Sequence, residues 1–168
     1  MVRILAATDF SEESQPVLDF TANMVRQCGG KMYLLHAVEP CMIDAAGSLP
    51  TDGMLGLLPQ PCSCAQDALM QQCQNVLERA DARAKMLATT ISQQWGIPIY
   101  GKAEEADDIV ECVLSFCKRH NIDILVIGNR HHTLLSSILM GNTAEKLVRA
   151  ATIPVTVVPC GAKAKGLR

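Results

Sequence analysis

No apolar run in this chain approaches the roughly 20 residues that a helix needs to span a bilayer, so no membrane segment is expected. Charge of one sign is lacking too. The formal net charge is -2 and neither sign runs in long blocks, which leaves no electrostatic footprint for nucleic acid. The familiar catalytic templates are missing: there is no Gly-x-Ser-x-Gly elbow, no His-Glu-x-x-His and no Walker phosphate loop. Internal repeats are absent as well. The opening stretch, Met1 to Asp9, is too short and too soon acidic for a signal peptide, so a cytoplasmic location is the default expectation. The 8 Cys of a chain without a secretory signal read as reduced thiols rather than a disulfide framework.

What is present is a core. Hydrophobic residues make up 49% of the 168 positions, enough for one domain over residues 1–160, with 161–168 as a basic tail. Arg3 to Thr8 is a continuous apolar strand of the kind buried on both faces. Ser11 is placed as an N-cap with Glu12 and Glu13 in the first turn. Val17, Leu18, Ala22, Met24 and Val25 then give helical spacing to Cys28, where Gly29-Gly30 ends the helix. Met32 to Val38 is a second buried strand. Between about 39 and 65 Pro and Gly interrupt every pattern, which predicts a long loop insertion. A long helix follows over Gln66 to Gln94. Ile97 to Tyr100 is a short strand whose Pro98 assigns it to an edge. A helix over Glu104 to His120, a strand over Asp123 to Ile127, a helix from Asn142 and a last strand, Pro154 to Val158, closed by Pro159, complete the order. Alternation of this kind implies a parallel sheet with helices on both faces, an α/β fold.

The stretch from Ile122 to Ala151 carries the functional signal. Its strand is expected to stop at Gly128. A polar loop with Asn129, Arg130, His131 and His132 follows, and Gly141-Asn142-Thr143 opens a helix. A strand whose carboxyl end meets a helix amino terminus is where open α/β sheets bind anions. The N–H groups and dipole of that helix favour phosphate, so the expected ligand is a nucleotide. Arg130 suits phosphate or a surface contact through its permanent charge and forked donors. Asp9 reads equally as a helix cap and as a ligand contact. His131 and His132 read as solvated loop histidines rather than metal ligands.

These pieces together resemble the universal stress proteins over nearly the whole chain. The resemblance rests on Thr8-Asp9-Phe10-Ser11, Leu35-His36-Ala37-Val38, the strand ending in Gly128, Leu139-Met140-Gly141-Asn142-Thr143-Ala144-Glu145, and Ile153 to Pro159. It implies a five-stranded parallel sheet, an open α/β sandwich of the adenine nucleotide alpha hydrolase-like, Rossmann-like type, often homodimeric. The last strand, Val155 to Val158, is the expected dimer edge. ATP-binding members carry Gly, two residues, Gly, nine residues, Gly, then Ser or Thr. Gly128 and Gly141 match the first and third Gly, while His131 replaces the second and Asn142 the Ser or Thr. His131 brings a ring where backbone would approach phosphate; Asn142 can still cap a helix and donate through its amide. By resemblance, Asp9 and Val38, with Ala7 and Thr8 nearby, would line the adenosine end. Gly128, Arg130, Gly141, Asn142 and Thr143 would hold the phosphates, and Ile127, Asn129 and His131 complete the expected set.

The expected function is therefore a stress-response regulator that binds an adenine nucleotide, ATP, without fast catalysis. No base or metal clamp is evident, which leaves room only for slow, incidental hydrolysis. The alternative is a homodimeric interaction module that binds no nucleotide. A third reading is a thiol or metal sensor on the long loop. Cys41, Cys62, Cys64 and Cys73 supply thiols, but Cys-x-Cys is not the usual zinc spacing and free thiols are the preferred reading.

Overall fold

The computed structural model describes residues 1–40, 63–130 and 141–160, without the side chains of residues 63–73 and 130. Five strands form one sheet: β1 (Arg3–Ala7), β2 (Lys31–Val38), β3 (Ile99–Glu105), β4 (Ile124–Arg130) and β5 (Val155–Cys160). All pairings are parallel, in the order β3-β2-β1-β4-β5. Helices α1 (Gln15–Cys28), α2 (Ser63–Trp95), α3 (Ile109–His120) and α4 (Asn142–Ala150) connect them. Among the described residues no helix is long and apolar enough to cross a membrane.

The continuous apolar strands are explained by two cores. Ile4, Ala6, Met32, Leu34 and Val126 meet Val17, Leu18, Ala22 and Val25 of α1 and Ala84 and Ile91 of α2 on one face. Leu5, Leu35, Leu125 and Ile127 meet Val113, Phe116 and Cys117 of α3 and Ala144 and Leu147 of α4 on the other. Each fully buried aliphatic side chain contributes about 1.5–3 kcal/mol, so neither face could be polar. The fold class expected from the sequence is the one observed.

Several local expectations are overturned. Ser11 does not cap α1. It precedes a 3-10 turn, Glu12–Ser14, and gives its hydroxyl to Asp9, while α1 begins at Gln15 with Pro16 in its first turn. That helix ends as expected at Gly29, whose φ of +69° glycine adopts without steric cost. The third strand runs to Glu105 rather than stopping at Tyr100, because β2 offers partners as far as Val38, opposite Glu105. Helix α3 accordingly starts at Ile109, not Glu104: Asp108 Oδ1 accepts the N–H groups of Val110 at 2.7 Å and Glu111 at 3.2 Å and is the N-cap. Glu104 and Glu105 are strand residues instead of a first turn, and Glu104 pairs from β3 with Arg119 of α3.

A further correction shapes the site. Strand β4 does not stop at Gly128, nor is β5 closed by Pro159. Gly128, Asn129 and Arg130 pair with Val158, Pro159 and Cys160. The carbonyl of Pro154 accepts the N–H of Leu125 at 3.0 Å, so even-numbered residues of β5 turn their backbone toward β4. Odd-numbered residues, Pro159 among them, turn theirs to the open edge, where proline's missing donor costs nothing. The helix after the long loop starts at Ser63 rather than Gln66. The rest of the expected loop, residues 41–62, and the tail, 161–168, lie outside the described residues.

Candidate functional site

From β1 the chain leaves to α1 on one face; from the adjacent β4 it goes on to α4 on the other. The carboxyl ends of two neighbouring parallel strands that feed opposite faces leave a crevice between them. Here it is a cleft of about 410 Å³, within the roughly 300–1,000 Å³ range of small-ligand pockets. Ala7, Thr8 and Asp9 form its β1 wall, Ile127 and Gly128 its β4 wall, and Gly141, Asn142 and Thr143 its α4 end. An apolar side is supplied by Leu35 of β2, Ile109 and Val113 of α3, and Ala144 and Leu147 of α4.

Short-range hydrogen bonds hold the β1 wall. Asp9 Oδ1 accepts the Ser11 N–H at 3.2 Å, the Ser11 hydroxyl at 2.8 Å and the Ser14 hydroxyl at 2.7 Å. Asp9 thus organises the turn into α1 and also faces the cleft, so the cap and ligand readings are compatible. The Thr8 N–H continues the ladder to the Leu35 carbonyl at 3.0 Å. His36 Nδ1 lies 2.8 Å from the Thr8 carbonyl oxygen; since a carbonyl only accepts, this nitrogen carries the proton.

At the other end, Asn129 Oδ1 accepts the Gly141 N–H at 3.1 Å, tying β4 to the start of α4. Gly141 is the N-cap, without a side-chain cap, and Asn142 is the first helical residue instead of the cap. The first helical bond runs from the Glu145 N–H to the Gly141 carbonyl. The N–H groups of Asn142, Thr143 and Ala144 therefore belong to the unbonded first turn, where a negatively charged group is favoured. The described lining holds one carboxylate, Asp9, and no Lys or Arg. Attraction for an anion there comes from the helix end, and Asp9 suits hydroxyl donors.

Gly128 has a reason of its own to be glycine. A Cβ there would sit 2.7 Å from Cys160 Sγ and 3.2 Å from Val17 Cγ2. Both neighbours are buried, so a side chain here would force one of them to shift, whatever the cleft binds.

Eight of the residues expected from the sequence line the cleft: Ala7, Thr8, Asp9, Ile127, Gly128, Gly141, Asn142 and Thr143. Val38 does not; its carbonyl accepts the Ala106 N–H at 2.9 Å, and the β2 wall is Leu35, His36 and Ala37. Asn129 is not in the lining and ties β4 to the start of α4. Arg130 has its backbone in β4, while His131 and His132 fall outside the described residues, as do Cys41 and Cys62. Sequence reasoning missed Ser14, His36, Cys160 and the apolar side. The spacings of Ile109 with Val113 and of Ala144 with Leu147 each mark one helical face, but nothing local tells that face from ordinary core. Among the described residues no group of three His, Cys, Asp or Glu is arranged to hold a metal ion. Burial pushes the Cys117 thiol up to about 11, and burial, followed by the charge of Glu104, raises that of Cys112.

The family model described as the universal stress protein family matches residues 1–159. The chain belongs to the universal stress protein family. A universal stress protein of Methanocaldococcus jannaschii is 25% identical over 159 residues, covering 93% of this chain and 81% of that protein. The universal stress protein UspA of Lactobacillus plantarum superposes with a TM-score of 0.66 at 14% identity, over 94% of this chain and 97% of that one. A universal stress protein of Archaeoglobus fulgidus solved in complex with dAMP gives a TM-score of 0.53 at 18% identity, over 96% and 98%. The likeness in fold places the chain in the adenine nucleotide alpha hydrolase-like class. Universal stress proteins of this fold include nucleotide binders, the dAMP complex among them.

Proposed function

We propose that this universal stress protein is a cytoplasmic stress-response regulator that binds an adenine nucleotide, ATP, in the β1/β4 cleft and does not turn it over rapidly. The observation that carries the reading is the convergence on one cleft of Thr8 and Asp9, Gly128, and the first turn of α4 at Gly141 to Thr143. The two ends offer complementary chemistry. Asp9 accepts ribose hydroxyls and the apolar side takes a base, while the α4 amides take phosphate. The dAMP complex of the A. fulgidus relative supports an adenine nucleotide. Arg130 and His131 follow Asn129 directly in sequence, which keeps them in the proposed phosphate set. Binding changes a partner surface, in proportion to the ligand's differential contacts with the two states.

Calorimetry with ATP and ADP on nucleotide-stripped protein tests this. Saturable heat with a thermal shift is expected; no heat at high micromolar ligand and no shift contradicts it. One observation favours a second reading, the homodimeric module that binds no nucleotide. Among the described residues strand β5 is an edge of the sheet on which Val155 and Val157 are only half-buried, the condition for pairing with a second copy. His131→Gly separates the two: ATP binding that appears only in the variant supports the second reading. A dimer in light scattering is compatible with both, and a monomer at high micromolar concentration removes the β5 pairing.

A further inference from the structure

Two non-glycine residues among those described have positive φ, Asn121 at 49° and Phe10 at 60°. Asn121 caps α3, a position that tolerates it. Phe10 caps no helix, and a bulky side chain in this region is a true outlier that persists only where its surroundings over-determine it. Those surroundings are specific. The Phe10 N–H donates to Thr8 Oγ1 at 3.1 Å. Its carbonyl accepts from Arg83 Nη2 of α2 at 2.9 Å. Its ring is 4.4 Å from the His36 ring and 5.4 Å from Arg83 Cζ. Thr8 and His36 are cleft wall, whereas Arg83 lines no part of the cleft.

We propose that Arg83 is a positioning residue for the cleft, holding Phe10 in its left-handed conformation and so setting the Thr8–Asp9 backbone and the His36 ring that a ligand meets. A planar guanidinium can lie against a ring while its fork bonds a carbonyl, which a lysine ammonium cannot reproduce. Because the clamp comes from α2, the long helix and the cleft are energetically coupled, and the coupling is reciprocal. The inference rests on the nucleotide reading only where affinity is measured.

The test is a cycle of Arg83→Ala, Phe10→Gly and the double variant, titrated calorimetrically with ATP. Arg83→Ala is expected to weaken binding about tenfold, the equivalent of ~1.4 kcal/mol. Glycine adopts the required φ unaided. In the Phe10→Gly background the same change is therefore expected to cost less than about twofold, a non-additivity that mere stabilisation by Arg83 would not produce. An equal loss in both backgrounds overturns the proposal, as does no loss in a wild type that binds ATP. Should the wild type bind no ATP, or Phe10→Gly fail to fold, the intraresidue amide-to-Hα NMR cross-peak of Phe10 decides, since it is strong at positive φ and needs no ligand. It is expected to weaken in Arg83→Ala; an unchanged cross-peak overturns the clamp and leaves the nucleotide reading untouched.

Discussion

Gly128→Ala separates two reasons for the same glycine. If the residue is small only so that phosphate can approach, the added methyl leaves the ligand-free protein as stable as before. The packing says otherwise. The new Cβ would fall 2.7 Å from Cys160 Sγ and 3.2 Å from Val17 Cγ2, inside normal contact distance, and those residues are 2% and 1% exposed, so one of them has to shift. Overpacking of this kind costs about 1–3 kcal/mol, a fall in Tm of roughly 2–12 °C for a domain of this size. Urea denaturation of ligand-free protein under reducing conditions measures it directly. Cys160→Ala removes the nearer obstacle, so the double variant should recover about 1–2 kcal/mol beyond the sum of the two single changes. A cost for Gly128→Ala below about 0.5 kcal/mol, or no recovery in the double variant, refutes the packing argument.

Two further outcomes follow from the same structure. Burial raises the Asp81 carboxyl, but hydrogen bonds from Lys85, the Ala103 N–H and Lys102 outweigh it and hold the pKa at about 2 rather than 3.8. A depressed carboxylate stabilises the fold above its unfolded pKa and loses that stabilisation as pH falls through its folded value. Asp81→Asn should therefore cost about 1 kcal/mol at neutral pH once solvent screening of the exposed lysines is allowed for, with the gap to wild type closing between pH 4 and 2 in denaturation curves; a pH-independent gap contradicts the ion-pair account. Asp108→Ala should cost about 1 kcal/mol and fray the start of α3 in amide exchange, while Glu104→Ala should leave that helix end intact.

The sequence was most legible where burial is two-sided. Ile4 to Ala7, Met32 to Leu35 and Ile124 to Ile127 are apolar throughout because helices cover both faces, and the α/β alternation follows from them. It was least legible where pairing rather than composition decides. Gly101-Lys102-Ala103-Glu104-Glu105 has no strand-like pattern, yet β2 holds it in register. Asn129, Arg130, Pro159 and Cys160 read as loop, and each strand is extended because the other is there. Gly128 and Gly141, marked by their spacing, line the β4 and α4 side of the cleft, and Thr8 and Asp9, marked by the family resemblance, line the β1 side. Leu35, His36 and Ala37 replace Val38 at the wall because β3 carries the ladder to the end of β2 and the Ala106 N–H takes the Val38 carbonyl. The carbonyl of Phe10, whose φ is positive, is held by Arg83, 73 residues away, a contact that no local pattern announces.

The central claim is that one cleft, at the ends of β1 and β4, takes an adenine nucleotide. Amide NMR of nucleotide-stripped protein titrated with ATP tests both binding and place. Saturable shifts concentrated at Thr8, Asp9, Gly128 and Gly141 to Thr143, with α4's first turn moving most on addition of phosphates from adenosine to ATP, are the predicted result. An unchanged spectrum at high micromolar ATP, or shifts that gather elsewhere, would contradict it.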